Sequence, residues 1–226
     1  MDKKDIKPDG KNVMDGLDLM SYLKDNDIAC AFFDPQYRGI LDKMNYGNEG
    51  KSRGKERCRL KQMDNDLIHK FIRELCRVLK PSAYLFLWTD KFHLCEGIKQ
   101  WVAGTDFTTV DLIVWNKLKM GMGYRSRSQC EFLLVLQKSP KTTKNWKTKN
   151  LRDIQDVYEE KADRSEFPHR KPVELQRALI EAVTEEGDLV LDPAAGSYSV
   201  LEAVRACNRI FLGCDIAEED ALLPTE

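Results

Sequence analysis

Two hydrophobic patterns alternate along the chain. Short, continuously apolar runs are typical of buried strands, and segments in which apolar residues recur every three or four positions are typical of helices. The predicted strands are 28–33, 83–88, 107–115, 131–137, 188–192 and 209–215. The predicted helices are 13–24, 64–79, 91–103, 172–184 and 197–207. This alternation predicts an α/β fold with a mostly parallel twisted sheet and helices on both faces.

Two helix starts carry local signals. Asp64 precedes the first apolar residues of the helix at 64–79 and is a predicted N-cap, and Pro81 lies just past its end. Pro172 stands where a first-turn proline belongs in the helix at 172–184.

Composition narrows the class of protein. The 226 residues, 42% of them hydrophobic, suffice for one core, so a single domain at 1–226 is expected. No apolar run approaches the roughly eighteen residues of a membrane span, and the first twelve residues are too polar for a signal peptide. Seven cysteines without a CxxC pair, together with three histidines, favour neither disulfides nor a metal site. The chain is expected to be soluble and cytoplasmic.

Two predicted strands end in turns whose polar side chains could bind a ligand or take part in catalysis. The first turn reads FFDPQY (32–37), and the second reads VLDPAAGSYS (190–199) and runs into a helix. Asp215 follows Gly196 by 19 residues, close to the separation at which nucleotide-binding folds place a carboxylate on ribose hydroxyls. In a parallel sheet ligands bind beside the carboxyl ends of the strands. A nucleoside site is therefore predicted there.

The glycine turn limits the choice of nucleoside. It holds one glycine where a dinucleotide site needs GxGxxG, only 11 residues follow Asp215, and no GxxxxGK[ST] loop occurs. A nucleoside without phosphates, such as S-adenosylmethionine, fits these features. On spacing alone, an ordinary strand-to-helix connection explains the turn equally well.

The order of four motifs resembles one known family over nearly the whole chain. The motifs are DPQY (34–37), FPHRKPVEL (167–175), LDPAAGSYS (191–199) and FLGCD (211–215). They resemble the DPPY, HPTQKPVEL and LDPFAGSGT motifs of the amino-directed DNA methyltransferases, which methylate N6 of adenine or N4 of cytosine, in the permuted β-class arrangement. The paired late segments VWNK (114–117) and GMGYRSRSQCEFLLVLQK (121–138) are similar as well. The resemblance implies a Rossmann-like methyltransferase fold with a circularly permuted motif order.

The resemblance also implies roles for particular residues. Asp34 and the Pro35 carbonyl would accept the two N–H groups of the target amine, and Tyr37 would stack on a base flipped out of duplex DNA. The implied catalytic segment is Asp34, Pro35, Gln36 and Tyr37. The implied S-adenosylmethionine site is Asp15, Asp34, His169, Lys171, Asp192, Pro193, Ala194, Gly196, Ser197, Tyr198, Asp215 and Ile216. Within it, Asp15 would lie near the adenine, Asp215 at the ribose, and His169 with Lys171 near the cofactor carboxylate.

Three positions depart from the family pattern. Gln36 replaces the second proline of DPPY and restores a backbone N–H, which predicts a less rigid turn. Ala194 replaces a usual phenylalanine and Tyr198 a usual glycine. The cofactor pocket is therefore predicted to have a smaller side chain at position 194 and a larger one at position 198. We expect it to bind the cofactor more weakly or in a different way.

Basic residues concentrate in three segments, all predicted to surround the catalytic face. Residues 38–61 hold eight basic against three acidic residues, and 116–130 and 139–150 each hold four basic residues without an acid. Such segments suit phosphate contacts to double-stranded DNA, although solvated loops are the ordinary explanation of charge runs. The predicted contacts are Arg38, Tyr46, Lys51, Arg53, Lys55, Arg57, Arg125, Arg127 and Lys144. A DNA-facing loop at 38–63 and a short target-recognition insert at about 138–166 are expected, with relaxed recognition or recognition shared across a homodimer or with a partner subunit.

Several activities stay open from the sequence. Aspartate at the first position of DPQY favours adenine, since N4-cytosine members more often read SPPW. Methylation of cytosine N4 or of RNA uses the same chemistry. A non-catalytic methyltransferase-like subunit would explain the departures at Gln36, Ala194 and Tyr198. A small-molecule methyltransferase would leave the basic loop without a purpose.

Overall fold

The computed structural model describes residues 6–36, 62–121, 125–156 and 170–216. The strands there are β1 (Asn12–Val13), β2 (Ile28–Phe33), β3 (Leu79–Thr89), β4 (Phe107–Asn116), β5 (Cys130–Lys138), β6 (Ile154–Gln155), β7 (Leu189–Asp192) and β8 (Ile210–Asp215). The helices are α1 (Gly16–Ser21), α2 (Asn65–Val78), α3 (Lys91–Glu96), α4 (Lys99–Val102), α5 (Val173–Val183) and α6 (Ser199–Arg205).

The strands form one mixed, mostly parallel sheet in the order β1-β8-β7-β2-β3-β5-β4-β6. Neighbouring strands run parallel except at the β3–β5 and β5–β4 pairs, which are antiparallel. The predicted α/β class is confirmed. The sequence pattern did not indicate the reversed direction of β5, because a strand that is apolar on both faces looks the same in either direction.

Both faces of the sheet are buried because the side chains of each strand alternate between them. On β3, Leu85 and Leu87 pack into the core beneath α1 and α2, while Phe86 and Trp88 pack into the core beneath α5 and α6. Continuous burial on the two faces explains why the strands read as unbroken apolar runs.

The elements largely match the sequence pattern. The Asp64 side chain caps α2 by accepting from Leu67 N at 2.8 Å, as predicted. The helix expected at 91–103 is divided into α3 and α4 at Gly97, whose φ of 88° ends a helical turn. The two-residue strands β1 and β6 are too short for a periodic signal and were not predicted.

The middle of the sheet contains the point where the order of connection reverses. From β2 the chain passes through α2 to β3 on one side, and from β7 it passes through α6 to β8 on the other. β2 and β7 lie side by side. A crevice outside the carboxyl ends of two such strands is where ligands bind in open α/β sheets.

Two further features concern the described ranges only. No helix there is both long and apolar enough to cross a membrane. The six cysteines there are free thiols.

Candidate active site

Asp34 lies directly after β2, at the carboxyl end of a central strand. Its side chain is 42% exposed, and Asp34 Oδ2 lies 2.7 Å from Lys171 Nζ. Pro35 is buried, and the backbone carbonyl of Gln36 accepts a hydrogen bond from Met63 N at 2.7 Å. The aspartate is therefore held on one side by an ammonium group while its surface remains open to a ligand.

Lys171 joins Asp34 to a second carboxylate. Its Nζ lies 2.9 Å from Glu131 Oε2, and the other oxygen of Glu131 pairs with Lys117 Nζ. Glu131 is near the start of β5, which reaches the edge of the sheet that carries Asp34 because β5 runs antiparallel to β3. The four side chains form an alternating chain of charges.

Burial and pairing have opposite effects on the ionisation of this chain. Burial raises the pKa of Glu131, but Lys171 and Lys117 more than offset it and lower the pKa to about 2. Burial lowers the pKa of Lys171, but Asp34 and Glu131 more than offset it and hold the pKa well above its usual range. Both groups are therefore charged at neutral pH. The Lys171 ammonium also lies 5.1 Å from the centroid of the Trp88 ring, within cation–π range.

The glycine turn after β7 is fixed to the neighbouring strand β8. Ala195 N donates to Cys214 O at 2.9 Å, and Gly196 N donates to Asp215 Oδ2 at 2.9 Å. Gly196 has a φ of 48°, in the left-handed region that glycine adopts without strain. These bonds bring the turn and the Asp215 carboxylate together.

Asp192 lies at the end of β7 and is almost completely buried. Burial raises its pKa to about 8, and the carboxylates of Asp34 and Asp215 add to the rise, against a hydrogen bond from Ala194 N. A buried acid among other acids is costly to ionise without a nearby cation. The sulfonium centre of S-adenosylmethionine is such a cation, so this acid cluster fits that cofactor.

The loop between β1 and α1 contacts the same site. Val13 pairs with Asp215 across the sheet, and Asp15 caps α1 by accepting from Leu17 N at 2.8 Å. A Cβ on Gly16 would lie 2.2 Å from Pro193 O, so only glycine allows the loop to approach the turn this closely.

Tyr198 occupies a position that favours glycine. Its φ is 54°, in the left-handed region, which explains why the resembling family usually has glycine there. Its hydroxyl donates to Asn12 O at 3.0 Å, and its ring packs 6.2 Å from that of Phe211. The ring belongs to the core beneath the loop. Contact between Tyr198 and the cofactor stays a prediction.

Comparison with known proteins identifies the family. Residues 28–223 match the family model described as DNA methylase, of the N6/N4 methyltransferases. The chain is also 54% identical over 208 residues to the Type II methyltransferase M.HhaII of Haemophilus parahaemolyticus, covering 91% of this chain and 90% of that protein. The chain belongs to the N6/N4 DNA methylase family. This membership confirms the resemblance drawn from the four motifs.

Solved structures support the methylase fold. The M1.HpyAVI–SAM complex matches with a TM-score of 0.62 at 19% identity, over 92% of this chain and 93% of that one. The cytosine-N4-specific PvuII DNA methyltransferase matches with a TM-score of 0.71 at 13% identity, over 98% and 90%. At these identities the likeness concerns the fold.

The structure of this chain brings together the acidic residues that were predicted to bind the cofactor. Asp34, Asp192 and Asp215 interact electrostatically, and the Asp15 loop contacts the turn that begins at Pro193. Ala194 and Ser197 are half-buried in that turn, and Ile216 is exposed beside Asp215. The predicted residues outside the described ranges are Tyr37, Arg38, Tyr46, Lys51, Arg53, Lys55, Arg57 and His169.

One basic segment does not lie where it was predicted. The β4–β5 connection, which carries Arg125 and Arg127, extends from the end of the sheet that carries Asp34. Residues 139–150 begin at the opposite end of the strands, because β5 is antiparallel to β3 and ends there. Ser139 N donates to Asp106 O, and Lys147 N donates to Ala182 O near the end of α5. The prediction that Lys144 lies at the catalytic face was therefore wrong.

Two residues of the site were not predicted. Glu131 was predicted only as part of the strand at 131–137, and Lys117 only as part of the late segments and as a basic residue of 116–130. Lys171 was assigned to the cofactor carboxylate, a role that stays a prediction. A signal existed, because Glu131 is an acid directly before the apolar run 132–136. Acids are rarely buried unless they are paired.

Proposed function

We propose that this methylase transfers a methyl group from S-adenosylmethionine to the N6 amine of adenine in double-stranded DNA. The observation that carries the proposal is Asp34, a partly exposed carboxylate beside the reversal point of the sheet with one oxygen bound by Lys171. An aspartate rather than a serine at this turn supports adenine over cytosine.

The chemistry requires a more nucleophilic amine. The lone pair of the exocyclic nitrogen is delocalised into the ring, so the nitrogen must become tetrahedral as the methyl group arrives. Asp34 and the backbone carbonyl of Pro35 accept its two hydrogens, which favours that geometry and stabilises the developing positive charge. The methylated nitrogen then loses one proton, for which the Asp34 carboxylate is a nearby acceptor.

The cofactor residues follow from the acid cluster and the turn. Bound S-adenosylmethionine supplies an electrophilic methyl group on a sulfonium sulfur. Asp192 would face the positive charge, Asp215 would bind the ribose hydroxyls, and Asp15 would lie on the adenine side. The turn from Pro193 to Tyr198 and Ile216, which is exposed, would border the rest of the nucleoside.

DNA approaches the carboxyl edge of the sheet. Gln36 and Met63 are hydrogen-bonded, so the basic segment between them begins and ends beside Asp34. Arg125 and Arg127 extend from the same edge on the β4–β5 connection. A flipped base reaches Asp34, and Tyr37 stacks on it. Recognition is relaxed or shared across a homodimer, and the enzyme acts in the bacterial cytoplasm.

Methylation of cytosine N4 is the second candidate. Its support is the fold match to the PvuII DNA methyltransferase, which is cytosine-N4-specific. Asp34 and Pro35 would serve a cytosine amine by the same geometry, so only the product distinguishes the two.

Nucleoside mass spectrometry tests the proposal. Purified protein is incubated with unmethylated DNA and labelled S-adenosylmethionine, and the hydrolysed nucleosides are analysed. We expect N6-methyladenine from the wild type and none from Asp34→Ala. Asp27→Ala is the matched control, because Asp27 is an exposed acid at the other end of the same strand. N4-methylcytosine, or an active Asp34→Ala variant, would contradict the proposal.

A further inference from the structure

Glu131 is an acid that the proposed reaction does not use. Its side chain is 24% exposed and lies between two ammonium groups, those of Lys117 and Lys171. It reaches Asp34 only through Lys171, whose side chain is 12% exposed. The two acids and two bases balance in charge.

Stability alone is a poor reason for this arrangement. Desolvating ions costs free energy that their attraction offsets only in good geometry, and apolar replacements of buried ion pairs are often neutral or stabilising. One carboxylate would suffice to pair with Lys171. The presence of a second one beside the open carboxylate of the site points to a role in the reaction.

The geometry restricts where the Lys171 ammonium can lie. It has Asp34 Oδ2 at 2.7 Å, Glu131 Oε2 at 2.9 Å and the Trp88 ring at 5.1 Å from the centroid. Glu131 is held in turn by Lys117, whose ammonium lies 5.1 Å from the centroid of the Trp115 ring. The Trp88 face and two carboxylates thus leave the Lys171 ammonium little freedom to slide along Asp34.

We infer that Glu131 is a positioning residue for Asp34. By sharing the Lys171 ammonium, Glu131 keeps it on Oδ2 and prevents it from bridging both oxygens of Asp34. The second oxygen of Asp34 then stays available to accept from the target amine. The inference rests on the proposed role of Asp34 and extends it to a residue that never touches the substrate.

The test compares the single-turnover rate of methyl transfer with binding. For Glu131→Gln we expect the rate to fall by about 10- to 100-fold, as for other residues that orient a reacting group, while the affinities for S-adenosylmethionine and DNA stay within about threefold. Glu131→Asp, which keeps the charge, should recover part of the rate. Glu74→Gln is the control, because Glu74 also pairs with a basic side chain, that of Arg77, but on the more exposed surface of α2.

A wild-type rate in Glu131→Gln would overturn the inference, and so would a loss of rate matched by an equal loss of cofactor binding. If Glu131→Gln does not fold, Lys117→Met removes only the outer partner of Glu131. We then expect a fall of about three- to tenfold, and an unchanged rate would overturn the inference. The assay counts every methylated nucleoside, so N4-methylcytosine as product would refute the adenine proposal and leave this comparison valid.

Discussion

Lys171 and Asp34 meet at 2.7 Å although one precedes α5 and the other follows β2. The contact forms because α5 packs over the central strands, which brings the residue before its first turn to the carboxyl end of β2. Glu131 also pairs with Lys171, so the ionisation of Glu131 is linked to folding.

The linkage predicts how acid affects the free energy of unfolding. The pKa of Glu131 is about 2 in the folded chain against 4.5 ordinarily, because Lys171 and Lys117 outweigh its burial. A lowered pKa contributes stability that is present above pH 4.5 and lost as the pH falls towards 2. We expect Glu131→Gln to be less stable than the wild type by a few kcal/mol at pH 7, on the order of the shift converted to free energy.

Urea unfolding at pH 7, 5 and 3 measures this difference. It should be similar at pH 7 and 5 and clearly smaller at pH 3. Glu74→Gln should show a small difference throughout, because exposed pairs contribute little. A Glu131→Gln deficit that does not shrink at pH 3 would contradict the linkage.

Asp192 predicts the opposite dependence on pH. Burial, with help from Asp34 and Asp215, raises its pKa from 3.8 to about 8. Between these values the folded chain holds a proton that the unfolded chain has lost, so stability falls as the pH rises and levels off above pH 8. We expect Asp192→Asn to be more stable than the wild type at pH 8.5 and to bind S-adenosylmethionine at least tenfold more weakly.

Titration calorimetry at pH 6.5 and 8.5 tests the cofactor half of this prediction. Wild-type affinity should rise with pH, because a carboxylate attracts the sulfonium better than a neutral acid does. The cofactor's own ionisable groups affect binding to the wild type and to Asp192→Asn alike. The difference in pH dependence between the two proteins therefore measures the contribution of Asp192. Equal pH dependence in the two proteins would contradict the assignment.

A side chain at position 16 is expected to collide with the turn that begins at Pro193. A Cβ there would lie 2.2 Å from Pro193 O and 2.6 Å from the Phe71 ring, so Gly16→Ala should destabilise the fold by about 1–3 kcal/mol and weaken cofactor binding. Gly187→Ala is the comparison: φ is 81° and no atom lies within 4 Å of the added Cβ. It should cost about 1 kcal/mol from backbone strain and leave binding unchanged. Wild-type cofactor affinity in Gly16→Ala would show that the loop yields.

The sequence could predict which end of the sheet carries Asp34 and Asp192, because local signals determine it. Apolar runs that end in Asp34 and Asp192 place both acids at carboxyl ends, and parallel β2 and β7 bring them together. The position of Lys144 depends on the direction of β5, which an apolar run does not encode. The Lys171–Glu131 pair depends on the packing of α5 and on strand order, which are properties of the whole fold.

The two edges of the sheet predict a contrast in DNA binding. Arg125 and Arg127 are exposed on the β4–β5 connection at the catalytic edge, whereas Lys141 and Lys144 are exposed in the segment that begins at the opposite edge. Neutralising the first pair with glutamine should weaken DNA binding and lower the slope of log affinity against log salt by about one per lost phosphate contact. Neutralising the second pair changes net charge equally and should leave the slope nearly unchanged. Fluorescence anisotropy with a labelled duplex at several salt concentrations separates local contact from overall charge, since equal effects of the two pairs would show that only net charge matters.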